Sequence, residues 1–103
     1  MTLAVLDYLN DCSFAIEFND ESKLDLVKEL ALFGLGIWYE AAHDEDEIEA
    51  NEYFTKEDIM GFYESGYGEP TSELLDFYGI EHEIVDIKYD DNDNAICDDY
   101  VMY

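Results

Sequence analysis

The chain has 103 residues, with 28 Asp and Glu against 4 Lys and no Arg, a formal net charge of -24. Yet 49% of the residues are hydrophobic and 16% aromatic, which is not the composition of a disordered acidic tail. The composition therefore predicts a folded domain that carries strong self-repulsion, and it excludes direct nucleic-acid binding, which needs clustered cations where this chain has only Lys23, Lys28, Lys56 and Lys88.

The length suits one domain spanning residues 1–103, and no Pro, Gly or Ser-rich linker divides it. Met1 to Leu9 contain Asp7 and no basic residue, and no segment approaches 18 uninterrupted apolar residues. Neither a signal peptide nor a membrane span is expected, so the reading is cytoplasmic. Cys12 and Cys97 are far apart and have no CxxC partner, the pattern of two reduced thiols.

At the N-terminus, Leu3, Leu6 and Leu9 suit a short helix, while Leu3, Val5 and Tyr8 fit a strand less cleanly. Phe14, Ile16 and Phe18 then alternate with Ser13, Ala15 and Glu17 as in a half-buried strand. From Ser22, a broad stripe of Leu24, Leu26, Val27, Leu30, Ala31 and Phe33 predicts a helix that stops at Gly34. Thr55 to Asp58 resembles a capping arrangement for a second helix, with Ile59, Phe62 and Tyr63 at helical spacing up to Gly66. A third, short helix starts after Pro70, places Leu74, Phe77 and Tyr78 on one face and stops at Gly79. In the tail, Val85, Ile87 and Tyr89 alternate, Asp90 to Asn94 supply turn residues, and Ile96 to Tyr103 is again strand-like, which predicts a hairpin. The expected fold is α+β, with about three helices packed on a small, mostly antiparallel sheet that ends in this C-terminal hairpin.

The acids are unevenly placed. Residues 1–39 hold seven acids and two lysines, a net of -5, whereas residues 40–103 hold 21 acids and two lysines, a net of -19. The densest stretch is Asp44, Glu45, Asp46, Glu47, Glu49 and Glu52, and further acids fall at Glu57, Asp58, Glu64, Asp90, Asp91, Asp93, Asp98 and Asp99. These fourteen are the candidate partner-binding residues. A solvated surface ordinarily mixes both signs, and this one has almost no lysine to offset its acids. Halophilic adaptation is the competing explanation. Trp38, Tyr39, Tyr53, Tyr63 and Tyr67 flank the acidic stretches as contact or core groups.

Catalytic patterns are weak. No Ser stands in a GxSxG elbow, Gly34-Leu35-Gly36 lacks a third glycine, and His43 and His82, the only histidines, read as surface or capping residues. Asp90 to Asn94 resembles the start of a calcium loop, but Ala95 occupies the position of its glycine and Val101 that of its bidentate glutamate. No enzyme activity, catalytic residue, metal site or cofactor is expected.

The size, the absence of Arg, the aromatic-rich folded composition and the acid runs at Asp44 to Glu52 and Asp90 to Asp99 resemble the small acidic DNA-mimic proteins that phages and mobile elements direct against restriction enzymes and CRISPR effectors. Because B-DNA carries one charge per roughly 1.7 Å of axis, 24 charges correspond to about 40 Å of duplex. The resemblance covers the character of the whole chain, without an alignable motif, and such mimics occur on unrelated folds. It implies a monomeric or homodimeric inhibitor that occupies the DNA-binding groove of a basic host protein, with no nucleic acid or membrane bound directly. An immunity protein or antitoxin that neutralises a basic nuclease or toxin is the alternative reading.

Overall fold

A computed structural model describes residues 1–7, 13–43 and 45–103, with the side chain of residue 45 left aside. Three helices cover one face of a four-stranded mixed sheet. The elements are β1 (Thr2–Leu6), β2 (Phe14–Phe18), α1 (Leu24–His43), α2 (Lys56–Ser65), α3 (Glu69–Phe77), β3 (His82–Val85) and β4 (Asp99–Met102). The strand order is β3-β2-β1-β4. β2 pairs antiparallel with both β1 and β3, whereas β4 lies parallel to β1.

β1 is a strand and not the helix that its leucine spacing suggests. Leu3, Ala4 and Val5 are all fully buried, because a central strand covered on both faces loses the alternation that reveals a half-buried one. In β2 the alternation holds in direction and only in part in exposure: Phe14, Ile16 and Phe18 face the helices opposite Val5 and Leu3, while Ala15 pairs with Ala4 on the other face and is buried too, leaving Glu17 as the exposed residue. Tyr8, Leu9 and Cys12 lie outside the described residues.

A short 3-10 turn, Glu21–Lys23, capped by the Asp20 side chain, leads into α1. This helix does not stop at Gly34 but continues to His43. Gly34 is interior because α3 crosses there: a Cβ on it would stand 2.2 Å from Thr71 Oγ1 and 2.7 Å from the Thr71 backbone nitrogen. The hydroxyl of Thr71, fully buried, donates to the Ala31 carbonyl at 3.3 Å and ties the two helices at the same point. A residue chosen for close approach thus looks, in sequence, like a helix terminator.

α2 begins as expected, with a reciprocal capping box: Asp58 N–H donates to Thr55 Oγ1 and Thr55 N–H to Asp58 Oδ2. α3 starts one residue before Pro70, which fits the first turn because it needs no donor there, and Gly79 follows its end at a φ of +68°. Its buried face is Pro70, Thr71, Leu74 and Leu75, so the expected pairing of Leu74 with Phe77 and Tyr78 is corrected: Phe77 and Tyr78 are exposed.

The C-terminal hairpin is also corrected. β3 and β4 lie at opposite edges of the sheet and run parallel, with β1 and β2 between them. Only its tip survives, as an antiparallel bridge between Tyr89 and Ala95 with Ile96 N–H donating to Lys88 O at 2.8 Å. The turn residues between them behave as read: the Asp90 carboxylate accepts from the N–H groups of Asn92 and Asn94, and Asp93 takes a φ of +62°.

Candidate functional site

Nearly all of the acidic side chains among the described residues face water. Among the described residues Asp7 is the only buried acid, Glu40 and Asp99 are half-buried, and every other one is exposed. Of the candidates, Asp46, Glu47, Glu49, Glu52, Glu57, Asp58, Glu64, Asp90, Asp91, Asp93 and Asp98 are exposed; Asp44 and the side chain of Glu45 lie outside the described residues.

The fold places these acids on several separate elements. Asp46 to Glu52 follow the end of α1, Glu57, Asp58 and Glu64 lie on α2, and Asp90, Asp91 and Asp93 occupy the turn between β3 and β4. Asp98 and Asp99 stand beside β1, where Asp98 Oδ2 accepts from Thr2 N–H at 2.7 Å. Three further candidates carry structural duties: Asp58 closes the α2 cap, Asp90 organises its turn, and Asp99 pairs with Lys28 at 2.6 Å, which joins β4 to α1. The hydrogen bond from Lys28, aided by one from the Tyr100 N–H, holds the Asp99 carboxyl below its ordinary range.

One like-charge group was not read from the sequence. Glu69, Glu73 and Asp76 sit at i, i+4 and i+7 on exposed positions of α3, and Asp58 of α2 acts on the same point. Partial burial, then the charges of Glu69, Asp58 and Asp76, raise the Glu73 pKa above its ordinary value. The spacing was visible in the sequence, but it becomes a face only once the helix is known to start at Glu69.

The aromatic residues divide between support and surface. Trp38 is half-buried on α1, with Tyr39 at 5.5 Å, Tyr67 at 6.0 Å and Tyr63 at 6.2 Å between ring centroids. His43 and Tyr103 stack on Tyr39 at 5.6 and 5.1 Å. A second group, Phe33, Tyr53, Phe77 and Tyr78, reaches the surface between α1 and the end of α3. The Tyr53 hydroxyl lies 2.7 Å from that of Tyr78, and this bond, with the nearby charges of Glu52 and Glu29, pushes the Tyr53 pKa up to about 12.

Of the surface and capping roles read for His82, the surface one fails. Its side chain is 6% exposed and spans α3 and β3, with Nε2 2.6 Å from Ser72 Oγ and Nδ1 2.8 Å from the Ile80 carbonyl. Cys97 is a free, half-buried thiol, and Cys12 lies outside the described residues. Among the described residues, no group of three or more His, Cys, Asp or Glu side chains is arranged to hold a metal ion, and no helix is long and apolar enough to cross a membrane.

No protein-family model, curated protein or solved structure gives a significant match to this chain. The reading of function therefore rests on charge and shape.

Proposed function

We propose that the protein is a DNA-mimic inhibitor that occupies the DNA-binding groove of a basic host defence protein, a CRISPR effector or restriction enzyme, in the cytoplasm. The observation that carries this reading is a match of scale. The molecule measures 42 × 29 × 18 Å and carries a net charge of -24, and the same charge on B-DNA occupies about 40 Å of axis. The exposed carboxylates of the sheet turn, α2, α3 and the segment after α1 distribute that charge instead of focusing it, as a substitute for two phosphate backbones requires. A basic groove would meet it by long-range steering, which raises association rates by roughly 10 to 10³-fold at low salt. The mimic acts as a stoichiometric blocker, with carboxylates standing in for phosphates.

One observation favours a second reading. The exposed aromatic group around Tyr53 is the kind of central anchor by which an immunity protein or antitoxin grips a basic nuclease or toxin. Both readings are tested by one sequence of measurements. The immobilised protein captures its partner from a host lysate, and the purified partner is titrated with labelled cognate duplex in the presence of the acidic protein. Mimicry requires displacement of the duplex, weakening as the Debye length shrinks from about 10 Å at 0.1 M salt to about 3 Å at 1 M. A captured partner that binds its duplex normally when saturated overturns the mimic reading.

A further inference from the structure

Four aromatic side chains from three parts of the chain form one continuous surface. Tyr53 is its hub, with ring centroids 6.1 Å from Phe33 of α1, 5.9 Å from Phe77 of α3 and 6.3 Å from Tyr78. Phe33, Phe77 and Tyr78 are 43%, 62% and 46% exposed, and Phe54, buried beneath them, packs 6.0 Å from Phe77. Carboxylates border this surface on two sides. Glu29 and Glu52 line a groove of about 260 Å³ with Phe33, Tyr53 and Tyr78, and Glu73 and Asp76 line one of about 360 Å³ with Phe77. Lys23 reaches the neighbouring groove that Tyr78 also lines, where Asp20 and Glu81 accompany it.

We propose that this surface is an arginine-selective anchoring site, which takes the guanidinium of an arginine presented by a basic protein partner. It goes beyond the mimic reading, because it does not depend on whether the partner's groove ordinarily holds DNA. Charge complementarity selects a cation, since a pair of carboxylates lines each groove beside the rings, Glu29 with Glu52 and Glu73 with Asp76, and a positive group placed beside either pair relieves its repulsion. The rings select which cation. A guanidinium is planar and weakly hydrated, so it stacks on an aromatic face while its fork of donors reaches a carboxylate at the rim; an ammonium is a compact, strongly hydrated point charge. The Tyr53–Tyr78 hydroxyl bond holds two of the rings in place before any ligand arrives.

The test compares two capped peptides of equal charge, Arg-Gly-Arg-Gly-Arg and Lys-Gly-Lys-Gly-Lys, titrated into the full chain and followed by aromatic-ring NMR shifts. The arginine peptide is expected to bind about two- to five-fold more tightly, the ratio that an exposed cation–π contact supplies, with the largest shifts on Phe33, Tyr53, Phe77 and Tyr78. Replacement of three rings by apolar side chains, in Phe33→Leu/Phe77→Leu/Tyr78→Leu, should abolish the ratio while leaving the lysine peptide's affinity in place; should that variant unfold, Phe77→Leu alone carries the comparison. Glu52→Gln should weaken both peptides. Equal affinities for the native chain, an arginine preference that survives ring removal, or shifts confined to the Asp90–Asp93 turn would each overturn the proposal.

Discussion

Gly34→Ala should be among the most damaging single-methyl additions to this protein. The added Cβ would stand 2.2 Å from Thr71 Oγ1, 2.7 Å from Thr71 N and 2.8 Å from Thr71 Cα, and two of these atoms are backbone, so no rotamer change relieves the contact. α1 and α3 must part instead. Overpacking of this kind costs typically 1–3 kcal/mol, and rigid neighbours place it near 3. Separation also lengthens the buried hydrogen bond from Thr71 to the Ala31 carbonyl, a loss of about 1 kcal/mol, while alanine returns about 1 kcal/mol through its better helix propensity. The net cost is about 3 kcal/mol, against a total stability of roughly 5–15 kcal/mol for a domain. At about 4–8 °C per kcal/mol for a domain of this size, the thermal midpoint should fall by about 12–24 °C. Circular dichroism melts at fixed salt provide the measurement, and Gly61→Ala supplies its control. Gly61 lies inside α2 with nothing within 4 Å of its Cβ position, so alanine there should raise stability by about 0.5–1 kcal/mol. A Gly34→Ala variant as stable as the native chain would refute the close helix crossing and the argument built on it.

Three further outcomes follow from the charge. The thermal midpoint should rise as sodium chloride increases from about 0.02 to about 0.5 M, because screening relieves repulsion among exposed acids; a steady fall would show that ion pairs such as Lys28–Asp99 outweigh that repulsion. Glu73→Gln should stabilise the protein at neutral pH: the folded-state pKa of Glu73 is raised, so its contribution is favourable below the unfolded value and is lost as pH rises through the folded one, and the variant's advantage in melting should disappear in acid. Replacing exposed Asp46, Glu47, Glu49 and Glu52 by Asn or Gln should slow association with the captured partner several-fold at low salt, more than the same changes at Glu17, Asp20, Glu21 and Asp25, with equal rates removing the first stretch from the interface.

The sequence was readable where local chemistry decides the structure and misleading where distant packing does. The α2 capping box, the Asp90 turn and the alternation of Phe14, Ile16 and Phe18 depend on neighbours within a few residues, and each forms as its pattern predicts. Gly34 misled because its partner, Thr71, is 37 positions away, and Leu3 to Val5 because burial on both faces erases periodicity. The tail misled for a related reason: the strand read on Val85, Ile87 and Tyr89 lies instead at His82–Val85, only Asp99–Met102 of the Ile96–Tyr103 run is strand, and β2 and β1 occupy the space between the two. For the candidate surface, composition located the charge. It could not reveal that Phe33, Tyr53, Phe77 and Tyr78 converge, since they come from three separate segments, nor that Asp99 is engaged by Lys28.

The parallel pairing of β4 with β1 bears on how the chain is made. Leu3 is synthesised long before Asp99, yet they are register partners in the finished sheet. Until β4 emerges from the ribosome, β1 presents an open edge of unpaired N–H and C=O groups, the template on which incomplete chains associate. Contacts so distant in sequence also form slowly. Throughout that wait the nascent chains already carry most of their negative charge, and like-charged chains repel at the separations where edges would meet. The acidity proposed to deceive a partner therefore also insulates the unfinished protein from copies of itself.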